Sequence, residues 1–148
     1  MKYPSVIFIF LISLSAFFFK PRIDEIKPIK PAILNTSEPL KITSFHFKEV
    51  DYTTKKIISE TDAVVIFSFY NDLKIVRIKF PEGSLGYKIT NYQGLNKDDS
   101  TELNWTLEDK TVLGYQLVSP KSGPPTLYEF RSDNKVVEYT DLQIEVPK

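Results

Sequence analysis

From residue 40 onward, apolar and polar side chains alternate with a period of two. Leu103, Trp105 and Leu107 interleave with Glu102, Asn104 and Thr106, and Leu113, Tyr115 and Leu117 with Gly114 and Gln116. Val76, Ile78 and Phe80 share one parity while Arg77 and Lys79 take the other, and Leu142, Ile144 and Val146 alternate with Gln143 and Glu145. Successive side chains of a strand point to opposite faces, so the pattern predicts half-buried antiparallel strands. About ten short strands are expected, near 40–49, 55–60, 63–70, 73–80, 84–92, 102–107, 111–118, 126–131, 135–140 and 142–146.

Turn-forming residues fall between these runs. Asn71-Asp72 separates two β-rich segments as a tight hairpin would, and Pro81-Glu82-Gly83, Glu108-Asp109-Lys110 and Ser132-Asp133-Asn134 read as further turns. No segment after residue 40 holds a helical period. Val64-Val65-Ile66-Phe67-Ser68-Phe69 is apolar on both faces apart from Ser68. Such a strand should be central and covered on both sides, or should pair where a barrel closes. The expected fold is therefore all-β, an antiparallel meander forming a small barrel in preference to a two-sheet, barrel-like sandwich. Alternation puts Phe45, Phe47, Phe67, Phe69, Phe80, Trp105, Tyr115 and Phe130 in the interior and turns Glu102, Glu108, Glu129 and Glu138 outward.

The chain ahead of this body has a different texture. Ser5–Phe19 is an uncharged apolar run of 15 residues behind Lys2, suited in length to a signal-peptide core and short for a membrane span. Ser13-Leu14-Ser15 offers small residues for cleavage before Ala16, giving a mature chain that starts near Ala16 or Lys20. Lys20, Arg22, Lys27 and Lys30 follow the run, an arrangement that also suits an uncleaved anchor in either orientation. Residues 20–39 carry Pro21, Pro28, Pro31 and Pro39, which deny helical hydrogen bonds and predict an extended linker. The expected organisation is a signal peptide or short anchor over 1–19, a proline-rich linker over 20–39 and a β-barrel-like domain over 40–148. An exported location follows, periplasmic, envelope or secreted, with membrane contact only through the leader if it stays attached.

Composition narrows the chemistry. The 148 residues suffice for one domain of ordinary size. Basic and acidic side chains number 19 each, and no basic stripe of the kind that binds nucleic acid is present. The absence of cysteine removes disulfides, thiol catalysis, thiolate metal sites and lipidation of an N-terminal cysteine.

The leader, the proline-rich spacer and the meander of aromatic-rich hairpins over 40–148 resemble the small lipocalin-like β-proteins that bacteria export. That resemblance implies an up-and-down barrel and, as one option, a small apolar ligand. Lipocalins typically carry a Gly-x-Trp near the first strand. Here the only tryptophan is Trp105, preceded by Leu103-Asn104, so no ligand residue is carried over.

Few residues invite catalysis. His46, in Phe45-His46-Phe47, is the only histidine, and a zinc site wants three or four nitrogen, sulfur or carboxylate ligands. Alternation sets it opposite Phe45 and Phe47, on a solvated or cavity face. Asn96-Lys97-Asp98-Asp99-Ser100 is rich in oxygen but lacks EF-hand spacing and reads as a solvated loop. There is no Gly-x-Ser-x-Gly and no phosphate-cradling glycine loop. Ser119–Pro125 reads as a wide connection, and Asn35-Thr36-Ser37 and Asn104-Trp105-Thr106 as chance glycosylation triplets. No enzyme activity, cofactor, metal or nucleic-acid partner is expected. Two classes remain: a non-catalytic protein-interaction or structural module, ranked first, and a lipocalin-like binder of a small apolar ligand. In the second, Tyr87, Tyr92, Tyr115 and Tyr128, with Tyr139, would line the site.

Overall fold

A computed structural model describes residues 38–147, so the leader and nearly all of the linker lie outside the described residues. Nine strands follow in order: β1 (Leu40–Asp51), β2 (Ile57–Tyr70), β3 (Ile75–Phe80), β4 (Gly83–Asn96), β5 (Ser100–Leu107), β6 (Val112–Pro120), β7 (Thr126–Arg131), β8 (Lys135–Thr140) and β9 (Gln143–Glu145). Every pairing is antiparallel. Each strand from β1 to β7 pairs with the next, and β8 pairs back with β1, closing eight strands into a barrel. Closure removes the exposed edges that an open meander would present.

β9 lies along the first half of β1, Lys41–Thr43, in the register that β8 keeps along the second half. The two behave as one strand interrupted at Asp141, whose φ of 51° is a left-handed kink that aspartate tolerates better than most residues. The segments expected at 55–60 and 63–70 are a single strand, β2, because Thr61 and Asp62 pair with Phe47 and His46 and continue the ladder. The turn at Asn71-Asp72 is longer than two residues. It spans 71–74, with Lys74 at φ 52°.

The run from Val64 to Phe69 does sit between two paired neighbours, β1 and β3. Its Val65, Phe67 and Phe69 are buried, whereas Val64 stays exposed, so among the described residues no second layer covers it. Inside, aromatic rings form a continuous series. Phe47 meets Tyr139 at 5.6 Å between centroids, Tyr139 meets Phe67 at 4.8 Å, and Phe67 meets Tyr115 at 5.6 Å. Tyr115 meets Phe69 at 5.8 Å, Phe69 stacks on Trp105 at 4.0 Å, and Trp105 meets Tyr92 at 5.3 Å. Offset and edge-on pairs of this kind each contribute about 0.5–1.5 kcal/mol beyond their burial. Trp105 donates its indole N–H to Asn71 Oδ1 at 2.9 Å, which ties the ring to the β2–β3 turn.

Two of the expected interior aromatics lie elsewhere. Phe45 is 45% exposed: where the register shifts between Ser44 and His46, it stands alone opposite two β2 residues, Ala63 and Val64, and it lies outside together with His46. Phe130 is outward and stacks on Tyr128 at 6.5 Å, since β7 turns its other face, Leu127, Glu129 and Arg131, inward. A second bulge in β6, between Val112 and Gly114, buries Val112 where Leu113 was expected.

Candidate functional site

The core-facing side of β7 carries the most unusual chemistry of the barrel. Leu127 and Glu129 are both buried, Glu129 to 3% exposure, and Arg131 follows on the same face. Alternation predicted Glu129 to point outward, and the structure reverses that. The Glu129 carboxylate accepts from three donors. Tyr115 from β6 gives its hydroxyl to Oε2 at 2.9 Å, Tyr139 from β8 gives its own to the same oxygen at 3.1 Å, and Arg131 Nε reaches Oε1 at 2.7 Å.

The network then runs toward the hairpin end. Arg131 Nη1 bonds Glu49 Oε2 at 2.9 Å, and Lys135 Nζ lies 3.2 Å from both Glu49 Oε1 and Asp133 Oδ2. Each buried charge thus meets an opposite one, the condition under which a low-dielectric interior tolerates them. Among the described residues, no buried side-chain nitrogen or oxygen lacks a hydrogen-bond partner.

Burial, and then the negative charge of Glu129, push the Tyr115 and Tyr139 hydroxyls well above the ordinary phenol range. Both stay protonated and remain donors across the physiological range. Burial works against the Arg131 charge, but the charge of Glu129 and its hydrogen bond outweigh it and raise the guanidinium further. The arrangement surrounds a buried carboxylate with one guanidinium and two phenol donors. Both carboxylate oxygens accept hydrogen bonds, Oε1 from Arg131 and Oε2 from the two tyrosines.

Of the four tyrosines proposed for a ligand site, Tyr115, Tyr87 and Tyr92 lie in or against the core, and Tyr128 does not. Tyr115 is buried in the Glu129 network. Tyr87 packs against the core nearby, its hydroxyl raised by burial and by the charges of Glu129 and Asp109. Tyr92 lies along the ring series beside Trp105, where burial pushes its hydroxyl up to about 12. Tyr128 is on the outside beside Phe130. The sequence reading missed Glu129, Arg131 and Glu49. The available signal was the common parity of Glu129 and Arg131 with Leu127, together with Glu49 on the parity of Phe47.

His46 lies on the solvated face. Its Nδ1 is 2.6 Å from Asp62 Oδ1 and its Nε2 is 3.0 Å from Glu60 Oε1, both on β2. Beside it Lys48 pairs with Glu138 of β8 at 2.8 Å. Among the described residues no cluster of three or more histidine or acidic side chains is placed to hold a metal ion.

The hydrogen bond to Asp62 raises the His46 pKa first; burial opposes it, and Glu60 adds to the rise. With the folded value above the unfolded 6.5, protonated His46 stabilises the β1–β2 pair fully below that value. The contribution is lost as pH rises through the higher folded pKa. Proton NMR of the single imidazole should therefore titrate with a midpoint above ~6.5, and His46→Gln should remove this step from the stability profile. A midpoint at or below the unperturbed value would disprove the assignment.

No family model matches the chain, and neither a curated protein nor a solved structure matches it.

Proposed function

We propose that the chain is an exported or envelope-associated, non-catalytic module that acts through contact between its surface and another protein. The observation that carries this reading is the ring series from Phe47 to Tyr92, which occupies the barrel interior where a carried ligand would sit. An eight-stranded barrel is near the size at which side chains either fill the interior or leave room for one small molecule. The full engagement of Glu129 supports a structural role for the buried charges, and the apolar run Ser5–Phe19 supports export.

A second reading, a lipocalin-like binder of a small apolar ligand, draws on one feature. Leu85 pairs with buried Ile78 and shares its core-facing side, yet it is 51% exposed, and Tyr87 follows it on the same face. Titration of the full chain with fatty acids and an environment-sensitive dye separates the two. At ligand concentrations ~100 times Kd, binding to the native state alone would add ~2.7 kcal/mol of stability, a rise of several degrees in Tm. The expected result is no saturable binding and no thermal shift. A reproducible one-to-one shift would make the carrier reading the better one.

A further inference from the structure

Among the described residues, the barrel closes with several strand stretches paired on one side only, and the first half of β2 is one of them. β1 pairs with β2 from Ile57 through Phe69, but β3 reaches only Ile66–Tyr70 on the other side of β2. Among the described residues, the backbone of Ile57–Val64 therefore has no ladder partner on its β3 side. β1 shows how this barrel completes such an edge elsewhere: β8 and β9 lie end to end along it. Among the described residues, β2 has β3 along its second half and no such partner along its first.

We infer that this edge, Ile57–Val64, takes an extended polypeptide segment bearing lysine or arginine at alternate positions, added as a strand. The inference rests on the protein-contact reading and names its site and partner chemistry. A free edge is a template for strand addition, and proteins usually guard it with proline, lysine or brevity. This one contains neither proline nor lysine.

Its ends are apolar, with Ile57, Ile58 and Val64 each 45–49% exposed. Its middle is acidic. Glu60 and Asp62 stand two residues apart on the outer face, with side chains 55% and 91% exposed. Among the described residues, His46 is held between the two, and Lys48, opposite Glu60 in the ladder, pairs with Glu138.

Charge complementarity decides the occupant. A second copy adding antiparallel across a two-fold would bring the Glu60–Asp62 pair opposite its own equivalent, and like charges opposite one another destabilise a ladder. A strand with basic side chains on every second residue places them directly across from Glu60 and Asp62. Its intervening residues fall over the core-facing side of the edge, at Ser59, Thr61 and Ala63.

The test uses the full chain and an alternating Lys-Val octapeptide, with an alternating Glu-Val peptide and a Lys-Val peptide of identical composition in two blocks as controls. The alternating basic peptide should bind about tenfold or more tightly than either control, weaken with salt, and slow amide hydrogen exchange at Ile57–Val64 alone. The E60K/D62K variant should reverse the preference toward the Glu-Val peptide. E60Q/D62N should lose the preference while keeping the native spectrum, which guards against a charge reversal that disturbs folding. Binding without protection at Ile57–Val64, or equal affinity for the blocked peptide, would overturn this site and leave the protein-contact reading standing. Protection of the same amides on raising protein concentration alone would overturn it in favour of self-association. A one-to-one lipid shift would strike the parent reading instead.

Discussion

Replacing Glu129 by alanine should destabilise the barrel by about 3–5 kcal/mol, the range for breaking a buried charge pair from one side. The carboxylate is the acceptor for the Tyr115 and Tyr139 hydroxyls and for Arg131 Nε. Its removal strands two buried phenols and leaves Arg131 with Glu49 alone. At roughly 4–8 °C per kcal/mol for a domain of this size, Tm should fall by more than about 10 °C. Glu129→Gln keeps an acceptor and the shape but not the charge, and should cost less. In the background of Arg131→Met, the alanine substitution should cost less than it does in the wild type, because no buried cation is then left unpaired. Denaturant unfolding of the five proteins, wild type included, measures all of this. A loss below about 1 kcal/mol for Glu129→Ala would mean that water reaches the site and that the carboxylate is not a structural centre.

Why that centre was hidden in the sequence is a question of parity. Alternation identifies two faces of a strand but not which of them turns inward. On β7 the choice lay between Leu127, Glu129, Arg131 and Tyr128, Phe130. Hydropathy favours the second set, and the barrel buries the first. The first set prevails because its charges find partners on three other strands: Tyr115 on β6, Tyr139 on β8 and Glu49 on β1. Those partners are distant in the chain, so the compensation cannot be read locally. Where both members of a pair were apolar, the reading held. Trp105 and Tyr115, directly opposite each other on β5 and β6, are inward as expected.

The fold was more legible than the site for a related reason. Period-two runs and turn residues report on local backbone, and they located the meander, the turns at 81–82, 108–111 and 132–134, and an all-β fold. Bulges were not legible. Each adds a residue to one strand relative to its partner, and that shows only in the pairing. The β2 bulge opposite Phe45 leaves that aromatic outside and sets His46 against Asp62 and Glu60. The strands expected near 55–60 and 63–70 leave a break at Thr61-Asp62. The residues there are polar because they lie on an exposed stretch of one long strand.

Gly114→Ala should be the second most damaging substitution, and it involves no charge at all. Gly114 lies on β6 opposite Thr106 of β5, one residue past the β6 bulge. A Cβ built on it would stand 2.3 Å from the Trp105 carbonyl oxygen, 3.4 Å from its carbonyl carbon and 3.5 Å from Thr106 Cα. All three atoms are backbone, so no side chain can rotate away and the two strands must separate. Separation at this point pulls on the Trp105–Tyr115 pair, and through it on the stacked Phe69 ring and the hydrogen bond to Asn71. A loss of about 3 kcal/mol is expected, at the upper end for overpacking because the clash is with main chain. Trp105, the only tryptophan, reports it directly: its emission should shift red in the folded variant. Gly86→Ala is the control. There the nearest atom to a new Cβ is the Val76 carbonyl oxygen at 3.8 Å, an ordinary contact. That substitution should be neutral, or stabilising by up to about 1 kcal/mol through the lost freedom of the unfolded chain. If Gly114→Ala unfolds within about 0.5 kcal/mol of the wild type, the close approach of β5 and β6 is not a constraint the barrel depends on.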